Sequence, residues 1–270
     1  MTRFLLDDEI LNQIFDELPD INELGATVNK LAPDFISVRF NPESNVPVAA
    51  VCLRDTLNVL IQIRIGLSEC LQHRVWYREI IDTPSEELAV IFMQFYIDGV
   101  VSRLYAAGEH LANAIIFMLE ISDEQLIGYR NNRVSQQSIV GHYLANELTK
   151  HPVTIATLSL ASSDEWGKTI EYRNYWVHEQ PPTVSGLGNV YQREKRWVTS
   201  DDGTSIKLGL GSGDEAEYSV DELLDFVQPA VFRFVDLYEE VVRFYVNLIS
   251  EQGIILTEGG IQLRYRRRNP

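Results

Sequence analysis

The sequence holds few cysteines and no long uncharged apolar run, and each absence excludes a class of protein. Only two cysteines, Cys52 and Cys70, occur in 270 residues. If one continuous helix carries both, they lie about 27 Å apart, far beyond the reach of a disulfide. The first residues lack the apolar stretch of a secretory signal, and the most apolar runs are shorter than a membrane span. We therefore expect a soluble, cytoplasmic protein that does not enter a membrane.

The sequence also lacks the short motifs that bind phosphate groups and metal ions. It contains no glycine-rich phosphate loop, no zinc spacing of cysteine and histidine, and no acidic calcium loop. None of the five histidines lies three or four residues from another, which excludes a two-histidine metal site on one helix. These absences predict a protein that uses neither a metal ion nor a cofactor.

Positive charge is scarce, because 23 lysines and arginines face 39 aspartates and glutamates, a formal net charge of −16. This balance disfavours broad, non-specific binding to nucleic acids or to anionic membranes. One basic cluster contains Arg193, Lys195 and Arg196, and a second lies in the tail around residues 264–268. Each cluster is interpreted as a solvated surface, and the first has RNA binding as its functional alternative.

Long amphipathic helices dominate what is present. Apolar residues recur at three- and four-residue steps over residues 48–81 and 84–121, and a final helix is predicted over residues 219–249. An aspartate–glycine turn between alternating segments predicts a β-hairpin at about residues 189–210. The sequence thus predicts an all-α protein, an antiparallel helical bundle with a β-hairpin inserted before the last long helix.

Three regions are expected: a helical extension over residues 1–46, the bundle over residues 48–250, and a tail over residues 251–270. In the extension, short helices break near Pro19, and residues 35–40 are predicted to be a strand or an extended connector. The tail is expected either to form a small hairpin or to be disordered.

One short segment combines an arginine, an amide and a histidine near the end of a predicted helix. Arg173 is followed by Asn174, His178 lies five residues after the arginine, and Pro181 and Pro182 stop the helix. Histidine accepts or donates a proton near neutral pH. Arginine stays charged and binds a phosphate through two parallel hydrogen bonds. Together these residue types supply a proton acceptor or donor and a cation that binds phosphate.

This Arg-Asn-x-x-x-His pattern, in the later half of a chain of long helices, resembles the signature of the HEPN superfamily over residues 48–250. The resemblance implies a metal-independent endoribonuclease in which Arg173, Asn174 and His178 are catalytic. It also implies a homodimer whose active site lies in the cleft between two copies. More loosely, it implies a toxin–antitoxin or phage-defence system, with an antitoxin-like protein as a partner.

A second arginine–histidine pair, Arg103 and His110, has a comparable spacing. Leucine rather than asparagine follows Arg103, and the pair lies in the middle of a predicted helix. The asparagine and the helix-end position therefore distinguish the segment that contains Arg173 and His178.

The side chains of Arg173 and His178 lie about 140° apart on a regular helix. They can meet only if the arginine reaches round, the helix distorts, or a second subunit contributes. We favour the second subunit and predict a homodimer through this face. On the long helix before it, a polar stripe of Tyr105, Glu109 and Asn113 is predicted to support the site. Glu109 would orient His178 or Arg173 there, unless it pairs with a surface cation.

Two further functions fit the same sequence. The first is a catalytically inactive HEPN-like dimer that binds a nucleotide, RNA or a protein partner, which the net acidity favours. The second is a helical scaffold with no small-molecule site. The aromatic residues Tyr172, Tyr175 and Trp176 could stack on bases, although aromatic residues at this spacing are more often part of a core.

Overall fold

Two long antiparallel helices form the centre of the fold, α4 (Val46–Val75) and α5 (Glu86–Met118). A π-helical turn, Trp76–Ile80, continues α4. Gly66 of α4 allows close approach, since an added Cβ there would lie 2.8 Å from Val100 Cγ2 of α5. The computed structural model describes residues 6–80, 86–131, 133, 135–179, 182–187, 197–207 and 215–264.

Three short helices precede this pair and pack against α4. They are α1 (Asp8–Asp16), α2 (Asn22–Asn29) and α3 (Pro33–Ser37). The predicted break between the first two is confirmed, but the strand or connector predicted over residues 35–40 is wrong. Pro33 occupies the first turn of α3, where its fixed φ favours a helix and its missing N–H costs nothing. Ile36 of α3 is fully buried in the same core as α4.

Shorter helices follow α5 and bring the chain to its last long helix. The final helix begins at a capping box in which Ser219 and Glu222 bond each other's backbone N–H groups, and it includes Pro229 in its interior. The cap of the preceding helix is Ser163, whose side chain accepts from the Trp166 N–H. These elements are α6 (Asp123–Leu126), a 3₁₀ turn (Ile127–Tyr129), α7 (Gln136–Glu147), α8 (Pro152–Ala161), α9 (Asp164–His178) and α10 (Val220–Glu251).

Two small antiparallel hairpins complete the described residues. β1 (Trp197–Thr199) pairs with β2 (Ser205–Lys207) before α10, which confirms the predicted hairpin at its turn end. Its remaining predicted residues, 189–196 and 208–210, lie outside the described residues. After α10, β3 (Ile254–Thr257) pairs with β4 (Gly260–Leu263), as one of the two expectations for the tail had it. The all-α class with a hairpin before the last helix is therefore confirmed.

Buried hydrogen bonds fix α10 against α4. The hydroxyl of Tyr238 donates to the Leu53 carbonyl at 2.5 Å, and that of Tyr245 donates to the Val46 carbonyl at 3.0 Å. Both tyrosines are fully buried, so these bonds satisfy hydroxyl groups that would otherwise be costly to bury.

Among the residues that the structure describes, two helical stretches are long and apolar enough to cross a membrane, Val46–Arg78 and Leu88–Met118. The sequence-based expectation of shorter apolar runs missed them, because their apolar residues are spread along whole helices. In their most apolar windows, 50% and 39% of the residues are buried inside the protein. Packing within the bundle therefore uses much of this apolar surface.

Candidate functional site

Helix α9 carries the predicted site, and its inner face holds it against α5 and α10. Tyr172 is only 1% exposed, and its hydroxyl donates to Asp98 Oδ1 of α5 at 2.7 Å. One and a half turns earlier, the ring of Trp166 stacks on Phe234 of α10. These contacts fix the rotation of α9, so that Asn174 and His178 lie on its exposed side.

Arg173 and His178 meet within one chain. Arg173 Nη1 lies 3.0 Å from His178 Nε2 and also donates to Asn174 Oδ1 at 3.1 Å. Because a guanidinium can only donate, the contact with His178 is a hydrogen bond when Nε2 carries no proton. The long arginine side chain thus bridges the 140° between the two positions. A second subunit is not needed to bring these side chains together, so the geometric reason for a homodimer is removed.

The rest of the Arg173 guanidinium is held by an aromatic ring and has an unused donor. Its Cζ lies 4.1 Å from the centroid of the Tyr105 ring, a cation–π contact with α5. Its Nε is buried and has no hydrogen-bond partner among the described residues. A buried donor without an acceptor is unusual in folded proteins and costs about 1–3 kcal/mol. Arg173 therefore holds a donor that lacks an acceptor, and a ligand oxygen reaches it only when the side chain shifts.

Of the polar stripe predicted on α5 (Tyr105, Glu109 and Asn113), only Tyr105 contacts the site. Tyr105 contacts Arg173, but the Glu109 carboxylate accepts from the backbone N–H groups of Gln136 and Gln137, at 2.8 and 3.4 Å. Glu109 therefore caps α7 and orients neither Arg173 nor His178. Negative charge at a helix amino terminus is favourable, which explains this choice of partner. Asn113 makes no hydrogen bond to the site within the described residues.

Two acids accompany Asn174 on the outer side of α9. A shallow groove there is lined by Glu171, Asn174, Tyr175 and Glu179, together with Gly167 and Ile170. Tyr175 and Trp176 are 40% and 36% exposed, whereas the buried Tyr172 cannot reach a base. The three cations predicted to bind RNA, Arg193, Lys195 and Arg196, lie outside the described residues.

The second arginine–histidine pair does not form a comparable site. Arg103 donates to Gln62 Oε1 at 3.1 Å and to the Gly99 carbonyl at 3.0 Å. No hydrogen bond joins Arg103 to His110 in the described part of the chain. Within the same ranges, no three histidine, cysteine, aspartate or glutamate residues are grouped so as to hold a metal ion.

Asp98 was missed by the sequence analysis, although a signal was present. It is the one acid between Glu87 and Glu109 in an otherwise apolar helix. Burial raises the pKa of its carboxyl to about 6, and the hydrogen bond from Tyr172 lowers it only in part. A lone acid in such a stretch indicates a buried partner, here the tyrosine that precedes Arg173.

The raised pKa of Asp98 makes the stability of the protein depend on pH. The folded protein holds this proton up to a pH of about 6, whereas an unfolded aspartate loses it near 3.8. Native protein therefore binds more protons in this window, and its free energy of unfolding falls as pH rises from about 4 to about 7. Part of the carboxyl stays in water, so we expect a loss of about 2 kcal/mol.

Urea unfolding of the wild type and of Asp98→Asn, measured at pH 4 and pH 7, checks this expectation. The asparagine variant should gain about 2 kcal/mol relative to the wild type between the two pH values. An equal difference at both pH values would show that Asp98 titrates as an ordinary surface acid.

No family model, no curated protein and no solved structure matches this chain significantly. What the chain does must therefore be argued from its own residues.

Proposed function

We propose that this protein is a metal-independent endoribonuclease of the HEPN type, with Arg173 and His178 as its catalytic pair. One observation carries the proposal: Arg173 Nη1 contacts His178 Nε2 at 3.0 Å while the buried Arg173 Nε has no partner. A permanent cation beside an imidazole nitrogen supplies two requirements of RNA transesterification, a phosphate contact and a proton acceptor. The HEPN-like form of the bundle is part of this proposal.

The proposed reaction starts when the Arg173 side chain shifts, so that its guanidinium, including the unpaired Nε, donates to an RNA phosphate. Phosphate binding draws Nη1 away and frees His178 Nε2. This nitrogen takes the proton of the 2′-hydroxyl, whose oxygen attacks the neighbouring phosphorus. The bond to the 5′-oxygen breaks, and that oxygen takes a proton from a water molecule, which receives the proton held by His178 Nε2. A 2′,3′-cyclic phosphate remains and the imidazole is neutral again. The arginine stabilises the charge that builds up on the phosphorane.

A homodimer belongs to the proposal as well. Apolar side chains are exposed at the end of α9 beside His178, namely those of Tyr175, Trp176 and Val177. Exposed apolar residues grouped in this way are typical of protein interfaces. A second copy would then cover the bound RNA. Each active site would still contain Arg173 and His178 of one chain only.

An RNA cleavage assay in EDTA tests the proposed function. Labelled single-stranded RNA should be cut and leave 2′,3′-cyclic phosphate ends, whereas DNA of the same sequence should stay intact, because it lacks the nucleophile. Cleavage of both nucleic acids, or cleavage only after a divalent cation is added, would contradict the mechanism.

The second candidate function is a non-catalytic domain that binds a nucleotide, RNA or an antitoxin-like protein. The charge around the site favours it, since Glu171 and Glu179 line the groove beside Asn174 and the chain carries a net charge of −16. Acids close to the phosphate path oppose RNA at the distances involved. Nucleotide binding with no cleavage of any RNA would support this second function.

A further inference from the structure

A large apolar cavity lies on the inner side of the candidate site. Its volume is about 450 Å³, and helices α5, α7, α8, α9 and α10 all contribute to its walls. No lysine, arginine, aspartate or glutamate is among its described lining residues. The cavity opens to solvent, since its lining residue Leu158 is 41% exposed, and this size and lining are typical of small-molecule sites. The absence of charge favours a neutral ligand, or the neutral part of one.

Most of the polar groups of the cavity lie on one wall, α7. The side-chain amide of Gln137 rests against Gly108 of α5, where an added Cβ would lie 2.3 Å from its Oε1. Glycine at this position is thus what makes room for the amide. The amide makes no hydrogen bond to another described residue, and the side chain of Ser138 lines the cavity beside it. An unpaired donor and acceptor, held side by side, are available to a ligand.

The cavity is connected to the phosphate site. Tyr105 lines it while its ring also holds the Arg173 guanidinium, with the Cζ atom 4.1 Å from the ring centroid. Ile170 lines both the cavity and the groove that contains Asn174. Gly108 follows Tyr105 by less than one helical turn, so the Gln137 amide and the Arg173 guanidinium lie at neighbouring levels of α5.

We propose that the cavity is a nucleobase subsite, which receives an adenine whose own nucleotide phosphate binds Arg173. A glutamine amide pairs its donor and acceptor with N7 and the amino group of adenine. Apolar walls and the rings of Tyr105 and Trp166 suit the faces of a flat heterocycle. This inference rests on the proposed phosphate site, deepens it by naming the base, and does not require that the RNA is cut.

Calorimetric titration of the full-length protein with adenosine, 7-deazaadenosine and AMP tests the subsite without a cleavage step. Adenosine should bind, with 7-deazaadenosine about tenfold or more weaker, because this analogue lacks the N7 acceptor of the paired contact. Gln137→Leu keeps much of the bulk of the side chain and should weaken adenosine about 10- to 100-fold. Arg173→Ala should weaken AMP much more than adenosine, because only AMP carries the phosphate.

Gly141→Leu is a variant that should fill the cavity without lowering the stability of the fold. Gly141 lines the cavity in α7, and nothing lies within 4 Å of an added Cβ there. Leucine also favours a helix more than glycine does. Adenosine binding should be lost while the thermal midpoint stays equal or rises. Unchanged adenosine binding in Gly141→Leu, or equal binding of adenosine and 7-deazaadenosine, would overturn the inference.

The two proposals can fail separately. Adenosine binding that needs Gln137, in a protein that cuts no RNA, would keep the subsite and remove the nuclease. RNA cleavage that needs His178, in a protein that binds no adenosine, would remove the subsite alone.

Discussion

RNA cleavage by His178→Ala is expected to be slower than wild-type cleavage by about 10²- to 10⁴-fold, the usual contribution of a positioned general base. His178 is exposed at the end of α9, so removing its ring leaves the core untouched. The affinity for RNA should change little, because Arg173 still holds the phosphate. Single-turnover cleavage and filter binding, measured on the same RNA, separate the two quantities.

Arg173→Ala should lose both cleavage and affinity, since this guanidinium is proposed to bind the phosphate and to stabilise the transition state. Arg173→Lys should rescue little, because an ammonium group cannot present two parallel donors. Arg103→Ala and His110→Ala are the matched controls. These two residues form the other arginine–histidine pair, which lies on α5 and not on α9. If Arg173→Ala and His178→Ala, assayed separately, both cleave RNA at the wild-type rate, neither residue takes part in the mechanism.

Tyr172→Ala is expected to lower the free energy of unfolding by about 3–5 kcal/mol, the range for deleting a large buried aromatic ring. Tyr172 is 1% exposed, packs its ring against Tyr218 and Phe226, and donates to Asp98. Its loss leaves a cavity between α9 and its neighbours, and a partly buried carboxylate without its donor. Guanidinium unfolding followed by circular dichroism measures the change.

Tyr172→Phe isolates the hydroxyl, because it keeps the ring and removes only the bond to Asp98. We expect a cost of about 1–3 kcal/mol at pH 7, and a smaller one at pH 4, where Asp98 is protonated and needs the donor less. A loss below about 0.5 kcal/mol in Tyr172→Ala, the size of an ordinary surface change, would show that Tyr172 does not hold α9 in place.

Much of this fold could be predicted from sequence because its helices carry strong local signals. Apolar periodicity located α4 and α5, a final helix was expected over residues 219–249 where α10 lies, and the aspartate–glycine turn located the β1–β2 hairpin. Residues 35–40 were predicted to be a strand or an extended connector, whereas a helix that begins at Pro33 includes the first three of them. The packing of α3 on α4 stabilises this helix, and a local pattern of apolar residues does not show which elements pack together.

The candidate site was only partly predictable for a similar reason. Residue spacing along one helix pointed to Arg173 and His178, but idealised helical angles placed them too far apart. The length and flexibility of the arginine side chain closed that gap. The partner of Glu109 depended on where α7 begins in space, and the Asp98–Tyr172 bond joins residues 74 positions apart. Tertiary arrangement, which local sequence patterns do not encode, determined both.

Mixing two inactive variants tests most directly whether one chain carries the whole site. In a homodimer whose sites combine Arg173 of one chain with His178 of the other, an equimolar mixture of Arg173→Ala and His178→Ala forms one intact site in each mixed dimer. Since half of all dimers are then mixed, such a protein recovers about a quarter of wild-type RNA cleavage. We predict no recovery at any ratio, because both side chains must belong to the same chain. Recovery near a quarter would contradict the account.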